Sequence, residues 1–435
     1  MQKYLRLTAV PVVMLLLLAA CQGAGQSSSS AGASGGGGTK GTVKIGVDLP
    51  LSGGEVANGE PTLNGVKLAV KQANDKGGVG GYTVEINIQD DAKDGVHNPD
   101  QGATNAGTLV ADEAVVGMVG PFNSNVARAE IPVTNEAGLA QCSPANTGTD
   151  LTKAGSEQYR PSKPDQRNYF RVATPDDIQG PAMAQYDYND LGKKTAYVMD
   201  DTEAFGKGVA DSFSAEFEKL GGKIVKRDGV PKSTTDYTPF FTAAKALNPE
   251  VVYFGGTQVT GGGLARKQMA QAGMGDIPYT GPDGIADLGT GGSEGAFITL
   301  AGVENSHDVY GSVAGIHDIP DPEAFASQYK AEYSKDPGAY SALAYACTQV
   351  LLQAIDKSAG SASDMAALRE AVRAYVFTTS NKFETVLGSI NFDENGDSSQ
   401  KFISFYKVDA AGADGKGNWV FVKQHDFAAG LLTSR

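Results

Sequence analysis

The chain has 435 residues, 41% of them hydrophobic, and a formal net charge of −14. That is enough apolar material for more than one core, since single cores rarely grow beyond about 250–300 residues, so two lobes are expected. The acidic balance excludes a nucleic-acid partner, which needs clustered Lys and Arg, and three cysteines and four histidines without ligand spacing point to no disulfide scaffold, metal site, cofactor or histidine-based catalysis.

The N-terminus, MQKYLRLTAVPVVMLLLLAAC, places Lys3 and Arg6 before an apolar run from Val10 to Ala20 that is too short to span a bilayer but suits a signal-peptide core. It ends in Leu18-Ala19-Ala20-Cys21, which resembles the bacterial lipoprotein signal and implies a diacylglyceryl group on Cys21. An ordinary secretory signal whose cleavage site adjoins a cysteine is the alternative. Residues 22–41, QGAGQSSSSAGASGGGGTKG, read as a flexible Gly/Ser tether. A tether behind a lipid anchor places the folded part outside the cytoplasm, held at the bacterial cell membrane.

From residue 42 strand and helix signals alternate. TVKIGVDLPL (42–51) reads as a buried strand, and LNGVKLAVKQANDKGG (63–78) as a helix with Leu63, Val66, Val70 and Ala73 on one face. YTVEINIQDD (82–91) alternates as a strand, 105–113 is a short helix, and AVVGMVG (114–120) and GLAQC (138–142) return to the sheet. Between those two runs, Ser124 opens a helical stretch that carries Pro132 and is expected to kink or split there. The order repeats after residue 190. Strands are expected over 193–201, 223–230 and 251–258, with helices over 209–222, where Val209, Phe213, Phe217 and Leu220 share a face, and over 241–250. The last third shows one clear amphipathic helix, 341–356, with Leu343, Cys347, Val350, Leu351 and Ala354 inward, and then strand-like GSINF and KFISFYKV; ITLAGV (298–303) is also strand-like. Two similar doubly wound parallel-sheet lobes of α/β class follow from this order.

Several catalytic-looking strings do not survive their context. Gly291-Gly-Ser293-Glu-Gly295 lacks the strand before and helix after that a nucleophile elbow needs, so a hydrolase has no nucleophile here. Gly77-Gly-Val-Gly-Gly81 follows a helix, whereas a dinucleotide fingerprint follows a strand. Asp393-Glu-Asn-Gly-Asp397 lacks the glycine position and distal Glu of a calcium loop, and a β-turn is expected.

The clusters GPFNSNVA (120–127) and CSPANTGT (142–149) both stand just beyond strand-like runs, where open α/β sheets bind ligands. A plain N-cap at Ser124 and plain turns are the alternative. The order LPLSGG, NGVKLAVKQAND, GPFNSNVA, NEAGLAQCSPANT, FGKG, VVYFGG and GPDG is similar to the leucine/isoleucine/valine-binding proteins, amino-acid receptors of ABC importers with a type I periplasmic-binding fold. The resemblance covers residue 42 to the C-terminus. It implies that Ser124, Ala145 and Thr147 hold the α-amino and α-carboxylate groups of an amino acid, that Asp283 holds its ammonium and that Phe205 is an aromatic wall. Thr257 and Asn58 stand where the family has a tyrosine and an aromatic residue, and Asp283 replaces a Glu. These exchanges keep the head-group site and remove support for an aliphatic side-chain pocket.

The resemblance further implies no enzyme activity, an ABC permease as partner, a monomer, and a three-segment hinge with crossings near 171–176, 301–304 and 385–390. Lobe 1 would then combine 42–171 with 304–386, and lobe 2 would combine 172–303 with 387–435. A ligand sensor with the same fold, or a receptor for an amide or organic acid, is the alternative. Export makes a disulfide between Cys142 and Cys347 chemically possible. A strand end need not face the middle of a helix, however, and two buried thiols are the expectation.

Overall fold

The computed structural model describes residues 40–430, so the leader, Cys21 and most of the tether lie outside the described residues. The first half runs β1 (Thr42–Leu49), α1 (Val56–Asp75), β2 (Thr83–Asp90), β3 (Ala92–Lys93), β4 (Val96–His97), α2 (Pro99–Ala111), β5 (Val115–Val119), α3 (Ser124–Glu136), β6 (Gln141–Ser143) and β7 (Tyr169–Arg171). Five of these strands form one sheet in the order β2-β1-β5-β6-β7, with every neighbour parallel. Strand β5 is buried along its whole length, as a central strand covered on both faces must be. Helix α1 starts ahead of the expected residue 63, and its extra turns carry Gly59 and Pro61, which give no helical signal. Helix α3 is continuous through Pro132, where a kink or a split was expected.

The chain continues with α4 (Asp176–Gln185), β8 (Thr195–Asp200), α5 (Ala204–Lys219), β9 (Lys223–Gly229), α6 (Thr238–Lys245), β10 (Val251–Gly255), α7 (Gly263–Met269), β11 (Tyr279–Gly281), α8 (Phe297–Ala301) and β12 (Val309–Val313). After α9 (Pro322–Tyr333), α10 (Ser341–Ser358) and α11 (Met365–Val376) come the hairpin β13 (Phe383–Thr385) and β14 (Gly388–Ile390), then β15 (Phe402–Asp409) and β16 (Asn418–Asp426). The second sheet has the order β16-β15-β12-β11-β10-β8-β9, parallel except for β15 and β16. Helices α10 and α11 lie against β5, so the late helices complete the first lobe.

Four expectations need correction. ITLAGV is helical in α8, because Asp287 Oδ2 accepts the Phe297 N–H at 2.6 Å and Gly302, at φ 84°, stops the helix; tertiary contacts override the β-branched preference of Ile298 and Thr299. Strand β12 pairs with β11, so the second crossing follows Val313 and does not fall at 301–304. The β13–β14 hairpin packs on α10, so the third crossing follows β14 and ends at β15. Cys142 and Cys347 are bonded, with Cα atoms 5.7 Å apart, because the inward face of α10 lies directly over the end of β6. The three crossings touch at Thr174, whose N–H donates to Ala314 O at 2.9 Å and whose hydroxyl donates to Phe402 O at 2.7 Å.

Candidate functional site

The carboxyl ends of β5 and β6 in the first lobe and of β8, β10 and β11 in the second open onto one cavity. Its walls include Phe122, Ser124, Ala145 and Thr147 from one side and Phe205, Thr257, Asp283 and Gly284 from the other. Six of the seven residues singled out from the sequence are therefore brought together. Asn58 is not. It is buried in α1, where its carbonyl accepts the Thr62 hydroxyl at 2.7 Å, and it does not line the cavity.

Ser124 is the first helical residue of α3, and Asn123 before it is the N-cap. The Ser124 Oγ accepts the Gly148 N–H at 3.1 Å, a bond that does not use the hydroxyl proton. Ala145 N–H donates to Ser143 Oγ at 3.2 Å, and Thr147 O accepts the Asp176 N–H at 2.8 Å. The loop carrying both is pinned by Arg171, which is fully buried. Its guanidinium donates to Gly148 O at 2.7 Å, to Thr152 Oγ1 at 2.6 Å and to Asp397 Oδ1 at 2.8 Å. Asp397 belongs to the turn 393–397, in which Gly396 N–H returns to Asp393 O.

Asp283 is 6% exposed and accepts the Tyr340 hydroxyl. Burial pushes its carboxyl up to about 6, with the Tyr340 hydrogen bond opposing. Asp176, at the start of α4, goes up to about 8, first through burial and then through the charge of Asp283. Asp283 has no ion-pair partner among the described residues, and such a site favours an incoming cation. Elsewhere on the wall Asp201 accepts the Thr260 hydroxyl at 2.5 Å, and burial raises it to about 6. Thr257 caps the turn after β10 by accepting the Thr260 N–H at 3.1 Å. Asn125 donates to Glu203 Oε2 at 2.8 Å, a hydrogen bond between lobes.

Sequence reasoning missed Tyr340, Asp176, Asp201, Glu203 and His97. Tyr340 stands just before α10 and packs edge-on against Phe122 at 4.9 Å, so a residue far along the chain closes the site beside Asp283. His97 lines the cavity and meets Glu55 Oε1 at 2.9 Å. An aromatic just before a strong amphipathic helix was the one available signal; the others sit in ordinary turn contexts.

Comparison with known proteins agrees with this geometry. Residues 42–415 match the family model described as periplasmic binding protein. Leu/Ile/Val-binding protein BraC3 of Rhizobium johnstonii is 31% identical over 373 residues, covering 85% of this chain and 92% of that protein. A leucine-binding protein, LivK, of Thermotoga maritima superimposes with a TM-score of 0.71 at 26% identity, over 88% of this chain and 98% of its own. A solute-binding protein from R. palustris in complex with benzoate shares the fold, with a TM-score of 0.71 at 20% identity, over 88% of this chain and 96% of its own. No helix among the described residues is long and apolar enough to cross a membrane. The chain belongs to the periplasmic binding protein family of ABC transporter receptors, as a homologue of its branched-chain amino acid binding proteins.

Proposed function

We propose that the protein is a membrane-tethered receptor that encloses an amino acid between its lobes and delivers it to an ABC permease. The observation that carries this reading is Asp283, a buried carboxylate without a cationic partner among the described residues, sharing one cavity with Ser124 and Thr147. An amino acid brings an ammonium for the first and a carboxylate for the second, so both charges are compensated on burial. A benzoate-like acid would leave the Asp283 carboxylate uncompensated, which argues against an organic acid without a positive charge. His97, Asp201, Glu203 and Thr257 share the cavity with Phe122, Phe205 and Ala145, so the wall that meets the ligand's side chain is mixed, polar and apolar. Contacts with both lobes favour the closed form, which is the state a permease can read. Mass spectrometry of ligands released from denatured protein, followed by calorimetry with that ligand and with benzoate, tests the reading. Recovery of a zwitterion supports it, and benzoate binding in place of every amino acid overturns it.

Affinity should depend on pH in a defined direction. An ammonium binds the ionised form of Asp283, whose carboxyl is raised to about 6 in the folded protein. Affinity should be flat above that value and fall by about tenfold per unit below it. Without ligand, raised carboxyls bind protons in the fold that the unfolded chain has already lost. The empty protein should therefore lose stability as pH climbs from the ordinary aspartate range, near ~4, through the values of Asp283 and Asp176. Calorimetry and melting curves over that range read both effects, and an affinity independent of pH would remove Asp283 from the ammonium site.

The anchor is tested separately. Cys21→Ser should release the protein from membranes, since stable attachment needs buried acyl chains. A variant that still sediments with membranes, together with an unmodified wild-type N-terminus by mass spectrometry, would rule out lipidation.

A further inference from the structure

Next to the loop that leads to Ser124, three carboxylates converge from separate elements: Asp48 in β1, Asp91 just after β2 and Glu130 in α3. Their oxygens lie within 4.8 Å of one another, and all three side chains are fully buried. The neighbourhood is tight. A Cβ on Gly120 would come 2.1 Å from Asp48 O, and Gln141 Nε2 donates to Gly120 O at 3.3 Å.

The hydrogen bonds within the cluster are incomplete in a particular way. Asn105 Nδ2 donates to Asp48 Oδ1 at 2.9 Å and Gln141 Nε2 donates to Glu130 Oε2 at 2.7 Å. Each amide thus orients one oxygen and leaves the other, Asp48 Oδ2 or Glu130 Oε1, without a donor, and the Asp48 and Glu130 carboxyls face each other at hydrogen-bond reach. Asp91 has no hydrogen-bond partner on either oxygen. None of the three acids forms an ion pair with Lys, Arg or His among the described residues. Burial of so much like charge is costly unless something neutralises it.

Protons could lower the charge, and burial does push Asp91 and Glu130 well above the ordinary carboxylate range and Asp48 up to about 7. A proton shared between Asp48 and Glu130 would satisfy those two. Asp91 would still lack a partner. A single cation, by contrast, reaches one oxygen of each of the three acids, Asp91 included. The donors are oxygen only, with no nitrogen or sulfur, which suits a hard divalent ion, and calcium is the one that extracytoplasmic proteins bind through flexible sets of carboxylates.

From this we infer that Asp48, Asp91 and Glu130 form a calcium site inside the first lobe, which fixes the floor of the Ser124 loop. The site is independent of which solute occupies the cleft. No ligand spacing is visible in the sequence because the three acids come from a strand, a strand end and a helix that meet only in the fold.

The test uses the full chain, stripped with EDTA and refolded with or without CaCl2, because a fully enclosed site loads during folding. Equilibrium dialysis with radioactive calcium should find one tight Ca²⁺ per chain with a dissociation constant at or below about 1 mM. The melting temperature should rise by about 5 °C at saturating CaCl2. Asp91→Asn and, independently, Glu130→Gln, which keeps a partner for Gln141, should each weaken binding at least tenfold and abolish the thermal response. Should one variant fail to fold, the other locates the bound calcium. Absence of bound calcium in the refolded wild type overturns the assignment, as does calcium bound equally by both variants, which would place it on surface acids. A protonated triad gives the opposite thermal result, with both variants melting higher than the wild type and CaCl2 without effect.

Discussion

Asp283→Asn is expected to weaken amino-acid binding by about a hundred- to several thousand-fold, equivalent to about 3–5 kcal/mol, because the ligand's ammonium would be buried with no opposite charge. Asparagine keeps the shape and still accepts the Tyr340 hydroxyl, so the site should stay assembled. The empty variant should melt higher than the wild type, since a buried carboxylate with no cationic partner has been removed from beside Asp176. Those two signs together separate a ligand contact from a structural role, where binding would stay constant and stability would fall. Thr257→Ala, on the same wall, should change which amino acid is preferred more than it changes overall affinity. Calorimetric titration and thermal melting at one pH above the raised carboxyl range read all of this. Unchanged affinity in Asp283→Asn would sink the zwitterion reading.

The second large effect concerns the ion pair under the head-group loop. Asp397→Ala leaves the Arg171 guanidinium fully buried without its carboxylate and should destabilise the protein by about 3–5 kcal/mol. The same guanidinium holds Gly148 O and Thr152 Oγ1, so ligand affinity should fall with stability even though neither residue lines the cavity. Replacing both partners by apolar residues should be milder than the single change, because no uncompensated charge remains. Denaturant unfolding of the two single variants and the double variant measures this coupling. Acid should reproduce part of it. Burial alone would raise Asp397, but Arg171 and Lys401 outweigh it and hold the carboxyl down to about 2. The stabilisation it contributes is therefore complete above the unfolded aspartate range, near ~4, and is lost as pH falls through that lower value.

The parallel strands and main helices of both lobes were legible because apolar periodicity is a local property. Positions such as Val66, Val70, Phe213 and Phe217 face inward for the reason their spacing gives. The loops bearing Ser124, Thr147 and Asp283 were legible as strand ends with turn residues, and the family resemblance supplied the roles. Asn58 shows where that transfer finds no support: the residue standing at an aromatic position is buried in α1 and does not line the cavity. Tyr340 and the acidic trio of Asp48, Asp91 and Glu130 were not legible, because each exists only through contacts between segments distant in sequence. The ITLAGV segment went wrong for the same reason: a side-chain acceptor at Asp287 decides its state.

The bond between Cys142 and Cys347 joins residues 205 apart in sequence and so closes the backbone into a covalent ring. Both ends of that ring lie in the first lobe. Nearly the whole parallel part of the second sheet, from β8 through β12, is an excursion that leaves at β7 and returns before α10. A single peptide cleavage anywhere on that excursion opens the ring without freeing either end. In a setting exposed to secreted proteases, a receptor nicked once in its second lobe remains one molecule, and only a second cut or a reductant lets a piece depart.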